Sequence, residues 1–242
     1  MFLDNIKKRP NTFTTTALFQ KNDIPIFTET EILKAISDKK KYDQIKRIID
    51  IILAIFAIVL FSPLLLLISI MILIDDPNGS PIYISYRYGE KGKPFKFYKF
   101  RSMHKNADQY LEQLLKFNEM DGPAFKIKND PRLTKVGKFL RKHSLDELPQ
   151  FINVLKGDMS IVGPRPLPLS QHVEEKYTDY QKMRLWIKPG LTCYWQIQPK
   201  RNNVSFDQWV YLDLKYILDR NLKLDIYIIL KTFFILFRKE GV

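Results

Sequence analysis

The pattern of apolar and polar positions has one dominant feature, a continuous apolar run from Ile51 to Ile74. At about 1.5 Å per residue, a helix over this run reaches roughly 36 Å, whereas the hydrocarbon core of a bilayer is about 30 Å thick. The run therefore predicts a membrane helix. Ser62 and Pro63 interrupt its centre, where proline removes a backbone donor and the serine hydroxyl can bind a freed carbonyl, so a sharp bend is expected there.

Basic residues lie on both sides of the apolar run. The cations before it are Lys39, Lys40, Lys41, Lys46 and Arg47, and those after it are Arg87, Lys91, Lys93, Lys96, Lys99, Arg101 and Lys105. Short flanks rich in lysine and arginine tend to stay cytoplasmic. The charges favour a hairpin that enters and leaves on one membrane face. On charge and bend alone, a proline-kinked single span is an equal alternative.

The segments around the run predict an arm, a helix and a hairpin. Residues 1 to about 30 are polar without a period, and Glu29–Asp50 is typical of a charged helix that leads into the membrane. Pro81–Tyr88 and Phe95–Met103 are aromatic-rich and flank a turn with glycines, which predicts a short β-hairpin.

Three helices are predicted farther along the chain, over Ala107–Asn118, Arg132–Lys142 and Ile226–Phe237. The polar face of the second contains only cations, namely Arg132, Lys135, Lys138, Arg141 and Lys142. Such a face suits an anionic membrane interface, and the alternative is a solvated face on an ordinary core helix. The third segment is too short to span a bilayer, so it is either a core helix or an interfacial one.

Composition narrows the class of partner. The chain has 242 residues and a net charge of +13, which indicates a polyanionic partner: nucleic acid, anionic lipid or a phosphorylated substrate. The length suits one compact domain with a membrane element. Cys193 is the only cysteine, so an intramolecular disulfide is excluded and a small buried thiol is expected.

The strongest candidate for a catalytic segment is 143–150. It contains Asp146 and Glu147 and lies at the start of a predicted helix. A capping box between Ser144 and Glu147 is the ordinary interpretation. Because Pro149 would then remove a donor from the helix interior, a helix cap at Asp146 fits better.

At such a cap, the helix dipole and the nearby Arg141 and Lys142 would favour the ionised form of Asp146. An ionised carboxylate is a competent nucleophile toward phosphorus. Glu147 could hold a divalent cation, and hard oxygen ligands suggest Mg²⁺.

Further anion-binding groups are predicted in two other segments. Pro164 and Pro166 restrict the backbone around Arg165, so its guanidinium is presented in a preset direction that suits phosphate or nucleobase recognition. A rigid loop with an exposed arginine is the alternative. Two more cations are predicted on one strand face, or in a salt-bridged surface: Lys99 and Arg101.

From about Lys46 to the C terminus, the chain resembles the bacterial sugar transferase family, the monotopic polyprenyl-phosphate phosphoglycosyl transferases. The order and spacing of its motifs together are highly specific, although no single motif is. The motifs are Lys46-Arg47 with Asp50, Ser62-Pro63, Lys99-Phe100-Arg101-Ser102-Met103, Arg141 with Ser144 to Gln150, and Gly157-Asp158-Met159-Ser160 through Pro164-Arg165-Pro166.

The resemblance implies a two-step reaction. Asp146 attacks the sugar-linked phosphate of a UDP-sugar and releases UMP, and polyprenyl (undecaprenyl) phosphate then accepts the phosphosugar. Glu147 would bind Mg²⁺, and Arg165 would help hold the uridine diphosphate. The other substrate-binding residues expected are Pro164, Pro166, Arg141, Lys99 and Arg101.

The resemblance also implies that Ser62 and Pro63 form the break of a re-entrant membrane helix. We therefore predict an α+β, mainly helical fold, with a small cytoplasmic catalytic domain that carries a short β-hairpin and interfacial amphipathic helices. The predicted divisions are 1–45, a polar arm with a lead-in helix; 46–76, the re-entrant helix; 77–190, the catalytic core; and 191–242, a C-terminal helical extension of the same domain.

The predicted location is the cytoplasmic face of a bacterial inner membrane, with anionic lipids as partners. The C-terminal part is expected at the interface or in a homo-oligomer. The stretch 196–200 departs from the family pattern, so the sugar stays open. Two other classes are a membrane-tethered nucleic-acid binder, which leaves Asp146 and Glu147 unexplained, and a non-enzymatic scaffold.

Overall fold

The structure is a computed structural model that describes residues 24–114, 127, 130–198 and 205–237. Most of these residues are helical. The helices are α1 (Glu29–Asp38), α2 (Lys40–Asp75), α3 (Leu111–Leu114), α4 (Lys135–Lys142), α5 (Gln150–Lys156), α6 (Val173–Lys176), α7 (Asp179–Lys182), α8 (Phe206–Asp219) and α9 (Leu222–Phe237). The strands are β1 (Ile82–Tyr88), β2 (Pro94–Phe100), β3 (Ser160–Val162) and β4 (Gly190–Thr192).

Two small sheets flank the region that carries the polar motifs. Strands β1 and β2 form the predicted antiparallel hairpin, with Ile82 opposite Phe100. Strands β3 and β4 pair in parallel, with Ser160 opposite Gly190 and Val162 opposite Thr192. The sequence did not predict this second pair, because strands of three residues carry too little alternation to be recognised.

One core joins the middle of the chain to its C-terminal helices. The central cluster includes Phe97 of β2, Val154 of α5, Val162 of β3, Tyr216 of α8 and Ile228 of α9, all buried. Helices α8 and α9 therefore share a hydrophobic core with the hairpin.

Helix α2 contains the whole apolar run. It has 36 residues, with Pro63 inside it, and the Ser62 hydroxyl donates to the Val59 carbonyl at 2.8 Å. It is the one described helix that is long and apolar enough to cross a membrane. The large apolar side chains that it leaves exposed are Ile45, Ile48, Ile49, Ile52, Ile55, Phe56, Val59, Leu60, Leu66, Leu67, Ile70, Met71, Leu73 and Ile74.

The N-terminal end of α2 is bound to the domain by polar contacts. The Asp50 carboxylate accepts from the Ile161 amide at 3.0 Å, and the Lys46 ammonium lies 2.9 Å from Asp225 on α9. Arg47 donates to the Val154 carbonyl at 2.6 Å, at the end of α5. The lysine, arginine and aspartate that precede the apolar run thus join the helix to the core.

The C-terminal end of α2 is bound to the same domain. The Asp75 carboxylate accepts from the Val136 amide at 2.9 Å, at the start of α4. Asp76 pairs with Arg101 at 3.1 Å, and Ile72 packs against Phe100. Both ends of the long apolar helix therefore contact one polar domain.

Two predicted helices differ from the structure. Helix α4 begins at Lys135, after Thr134, whose hydroxyl accepts from the Gly137 amide as an N-cap. Arg132 lies before this cap, buried and paired with Asp130 at 2.6 Å, so it is not part of the cationic face. Of the helix predicted over 107–118, residues 107–114 form a 3-10 turn and α3, and the rest lie outside the described residues.

Candidate active site

Asp146 and Glu147 lie on a 3-10 turn, Leu145–Glu147, between α4 and α5. Ser144 enters this turn with a φ of 54°, in the left-handed region, so the chain changes direction directly after α4. Leu145 and Leu148 pack against the cluster under the end of β2. Apolar anchors on either side thus fix the two acidic residues, and Asp146 is buried.

The predicted helix cap at Asp146 is wrong. Helix α5 begins at Gln150, and Pro149 occupies the position before its first residue. Proline is tolerated at the start of a helix because no backbone donor is needed there. The acidic pair therefore occupies a separate turn and not the first turn of α5.

Four cationic side chains from four parts of the chain act on this acidic pair. They are Arg87 of β1, Lys99 of β2, Arg141 of α4 and Arg165 of the loop after β3. The sequence predicted three of these as site residues, and the structure brings them together. The result is a pair of adjacent carboxylates inside a ring of positive charge.

The protonation of Asp146 differs from the expectation. Burial raises the pKa of the Asp146 carboxyl to about 6, and the adjacent charge of Glu147 adds to the rise. Lys99, Arg141 and Arg165 oppose this rise without cancelling it. The prediction that its surroundings favour ionisation was therefore wrong in sign, because it omitted burial and the like charge.

Glu147 is held in its charged form by Arg165. Burial opposes ionisation of Glu147, but the Arg165 guanidinium keeps its pKa below the ordinary value. The ion pair is bidentate: Nη2 lies 2.5 Å from Oε1, and Nη1 lies 3.5 Å from Oε2. Guanidinium binds carboxylate and phosphate with the same fork geometry, so the group that binds Glu147 here can bind a phosphate in the same way.

The loop of Arg165 is fixed by backbone pairing with the segment around β4. The Gly163 amide donates to the Thr192 carbonyl at 3.0 Å, and the Gly190 amide donates to the Pro164 carbonyl at 2.9 Å. A Cβ on Gly190 would lie 2.1 Å from the Gly163 amide nitrogen, so only glycine allows this approach. The two prolines around Arg165 thus sit in a loop that is anchored at its start.

Arg87 and Lys99 reach the site from one face of the hairpin. Tyr83 pairs with Lys99, and Arg87 pairs with Phe95 four residue pairs farther along, so both cations share a face. Arg87 donates to the Pro166 carbonyl at 2.8 Å. Burial together with neighbouring positive charge lowers the pKa of Arg87 to about 10 and that of Lys99 to about 8.

The sequence reasoning missed Arg87. It was counted only as a flanking charge. Arg87 is four residues after Tyr83, and residues an even number apart on a strand lie on one face, so this spacing could have indicated the face that Arg87 shares with Lys99. The pairing register of the hairpin was needed to make that link.

Arg141 and Arg101 have different surroundings. The Arg141 Nε donates to the Ser102 hydroxyl at 2.9 Å, and its charge acts on Asp146. Strand β2 ends at Phe100, so Arg101 leaves the sheet and does not continue the strand face of Lys99. Its guanidinium pairs with Asp76 and donates to the Gly79 carbonyl at 3.1 Å.

The acidic pair offers few ligands to a metal. Among the described residues, no group of three or more His, Cys, Asp or Glu side chains is placed to hold a metal ion. Mg²⁺ often binds proteins through one or two carboxylates and takes its other ligands from phosphates and water. Asp146 and Glu147 fit that pattern once Arg165 has another anion to bind.

Comparison with known proteins identifies the family of the chain. The model of the family described as bacterial sugar transferase matches residues 41–239. The chain is 46% identical over 194 residues to the galactosyl transferase CpsE of Streptococcus agalactiae serotype III (strain NEM316), covering 79% of this chain and 42% of CpsE.

Two further relatives have similar identity. One is the undecaprenyl-phosphate galactose phosphotransferase of Salmonella typhimurium, 42% identical over 207 residues, which are 84% of this chain and 42% of that protein. The other is the exopolysaccharide production protein ExoY of Rhizobium meliloti (strain 1021), 41% identical over 194 residues, which are 77% of this chain and 83% of ExoY. The chain thus spans about two fifths of the first two relatives. The chain belongs to the bacterial sugar transferase family.

Proposed function

We propose that the protein transfers a sugar-1-phosphate from a UDP-sugar to a polyprenyl phosphate such as undecaprenyl phosphate. The observation that carries this proposal is a buried carboxylate, Asp146, inside four cations that can bind a diphosphate. The relatives support the substrates, because one is named for transfer of galactose phosphate to undecaprenyl phosphate and another for exopolysaccharide production. The product would begin glycan assembly on a lipid.

Asp146 acts as the nucleophile in this proposal. A carboxylate oxygen attacks the phosphorus that bears the sugar, the bond from that phosphorus to the bridging oxygen breaks, and UMP leaves with that oxygen. An oxygen of polyprenyl phosphate then attacks the same phosphorus and frees the Asp146 carboxylate. With a pKa of about 6, Asp146 is mostly ionised at neutral pH and needs no separate base.

The cations bind and orient the donor. Arg165, framed by Pro164 and Pro166, exchanges Glu147 for the uridine diphosphate, which offers the same fork-like acceptors. Lys99 and Arg141 hold the phosphate that is attacked. Such fixed charges stabilise the transition state more strongly in a buried site than in water.

Glu147 is the proposed ligand of Mg²⁺. It becomes available when Arg165 moves its ion pair to the diphosphate, and Mg²⁺ would supply neutralisation of phosphate charge. Arg101 was expected at the substrate too. Because its guanidinium is bound to Asp76, we propose that it supports the end of α2 and strand β2 instead.

The contacts of α2 support a membrane arrangement with both ends on one side. Its two ends bind one polar domain, through Lys46 and Asp50 at one end and Asp75 and Asp76 at the other. A polar domain cannot lie on both sides of a bilayer, so we propose that α2 enters and leaves on one face. We propose that the bend lies at Ser62 and Pro63 and that the face is the cytoplasmic face of the inner membrane, because both flanks of the apolar run are rich in lysine and arginine.

Exposed apolar side chains outside α2 support contact with the membrane surface. They belong to α4, α5 and α9: Phe139, Ile152, Leu155, Ile226, Leu230, Phe233 and Phe234. Basic side chains on α4 add attraction to anionic lipid head groups. A site at this surface would meet the phosphate of a polyprenyl lipid at the depth of Asp146.

Release of UMP by the purified full chain in detergent tests the proposal. The assay supplies Mg²⁺, undecaprenyl phosphate and a panel of UDP-sugars that begins with UDP-galactose, since two relatives are named for galactose. We expect release with at least one donor and none from Asp146→Asn, while the exposed control Asp179→Asn keeps full activity. Restoration of glycan synthesis in cells by Asp146→Asn would contradict the enzyme and support a scaffold.

A further inference from the structure

A fully buried ion pair lies behind the Arg165 loop. Arg184, on the 3-10 turn Met183–Trp186, and Asp213, in the middle of α8, are 1% and 0% exposed and are bound to each other. Neither side chain has a described contact with Asp146 or Glu147. The pair therefore belongs to the layer that supports the site and not to its surface.

One nitrogen of Arg184 has two partners. Its Nη2 contacts the Asp213 carboxylate and also donates to the backbone carbonyl of Arg165 at 3.3 Å. The Arg165 side chain in turn binds Glu147. A continuous series of polar contacts thus runs from Asp213 in α8 to the carboxylate beside the nucleophile.

The loop of Arg165 is anchored on both sides, through the Gly163 and Pro164 contacts with the segment around β4 before it and through the Tyr88 amide, which donates to the Leu167 carbonyl at 2.9 Å, after it. On its C-terminal side, the Pro166 carbonyl is bound by Arg87, which is itself a member of the cationic ring. Arg184 supplies a contact to the residue that must aim the guanidinium. Loss of that contact would remove the hydrogen bond that Arg184 makes to the centre of the loop, between its two anchored ends.

Stability alone does not explain the pair. In many proteins, the free energy of removing two charges from water exceeds the energy of their attraction. A protein with apolar residues of similar volume in their place is often as stable. Nε and Nη1 of Arg184 have no acceptor among the described residues, so its hydrogen-bonding capacity is mostly unused. The used nitrogen is the one that faces Arg165.

We propose that Arg184, held by Asp213, is a positioning residue that fixes the Arg165 backbone so that its guanidinium meets the donor diphosphate. This inference rests on the proposed role of Arg165. It assigns to a helix far along the chain, α8, a part in donor binding that its sequence does not show.

Titration of the purified full chain with UDP, in detergent with Mg²⁺, tests the inference without turnover. We expect Arg165→Ala and Arg184→Lys each to weaken UDP binding roughly tenfold to a hundredfold, since small misplacements of a binding group have effects of this size. In the Arg165→Ala background, Arg184→Lys should cause no further loss. Asp213→Asn, a milder change, should act in the same direction.

The control is Asp43→Asn. Asp43 binds Arg220, another arginine that is 1% exposed, at 3.0 Å, and this pair has no contact with Arg165. We expect a lower melting temperature with unchanged UDP affinity. Equal losses of UDP affinity in this control and in Arg184→Lys, or additive losses with Arg165→Ala, would show a purely structural role and overturn the inference.

The outcomes separate the proposed function from the positioning role of Arg184. Weakened binding in Arg165→Ala but not in folded Arg184→Lys or Asp213→Asn would overturn the positioning role and leave the proposed function intact. Unchanged UDP binding in Arg165→Ala would overturn the role of Arg165 itself and the positioning role with it.

Discussion

Two buried carboxylates, Asp225, which binds the N-terminal end of α2, and Asp146 in the candidate active site, have opposite surroundings. Both Asp225 oxygens are hydrogen-bonded: Oδ1 accepts from the Tyr216 hydroxyl at 2.7 Å, and Oδ2 accepts from the Tyr42 hydroxyl at 2.6 Å and from Lys46 at 2.9 Å. No hydrogen bond between described residues ends on the Asp146 carboxylate, and cations act on it through charge.

The difference separates a structural carboxylate from a reactive one. Asp225 joins α2, α8 and α9, and its lone pairs are occupied by fixed donors, so it cannot approach a substrate. Burial of the Asp146 carboxylate has a free-energy cost that no hydrogen bond from a described residue offsets. Its oxygens are therefore free to attack. Each of the following predictions tests that distinction.

Asp146→Asn should have the largest effect on activity. We expect UMP release to fall by more than about a thousandfold, because the nucleophile is lost. The melting temperature should rise. The pKa of Asp146 is raised in the folded state, so its ionised form, present at pH 7, destabilises the fold. A neutral asparagine does not have this cost. Kinetics and thermal unfolding of one preparation measure both, and a fall in melting temperature would contradict this view of Asp146.

Asp225→Asn should show the reverse behaviour. Breaking a buried, hydrogen-bonded charge pair costs about 3 kcal/mol, which corresponds to a fall of roughly 10 °C in melting temperature for a chain of this size. The turnover number of the folded fraction should stay within a factor of about three of the wild type. A large loss of turnover without loss of stability would place Asp225 in the chemistry.

Arg87→Lys should have an intermediate effect. Lysine keeps a charge but loses the bond to the Pro166 carbonyl and the stacking of the guanidinium on Phe97, 4.0 Å away. We expect kcat/KM for the donor to fall about fivefold, the worth of one hydrogen bond. Lys96→Met is the matched control on the opposite face of the same hairpin and should change little. Equal effects in both variants would argue against a role for the inner face.

Changes at Lys99 should shift the pH profile of activity. The acid limb should lie near pH 6, where Asp146 loses its proton, and a basic limb near pH 8, where Lys99 loses its charge. Because the Lys99 cation lowers the pKa of Asp146, Lys99→Met should move the acid limb upward by about half to one pH unit. Lys99→Arg should remove the basic limb. A profile unchanged in both variants would contradict the charge coupling.

Much of the site could be predicted because its residues lie in compact motifs. Asp146, Glu147, Arg165 and the basic side of α4 are adjacent in sequence to strong local signals, and the hairpin has a clear aromatic pattern. The burial of Cys193 was expected and is confirmed. The family was identified from the same motifs and is confirmed.

The remainder depends on contacts between distant segments. No local pattern indicates that Asp225 binds Tyr42 and Lys46, that Arg101 turns away from Lys99 toward Asp76, or that Arg184 reaches the Arg165 carbonyl. The pKa of Asp146 was predicted with the wrong sign for the same reason, since burial is a property of the whole fold. The roles of single residues can be predicted from motifs, whereas the distant residues that hold them in position cannot.

The most direct measurement is isolation of the proposed intermediate. The full chain is mixed with a UDP-sugar that supports turnover, labelled at the phosphate next to the sugar, without polyprenyl phosphate, and is then digested and analysed by mass spectrometry. We predict a stoichiometric burst of UMP and a phosphosugar on the peptide that contains Asp146, removed when polyprenyl phosphate is added. Turnover without any burst, or label on another residue, would contradict a nucleophilic Asp146.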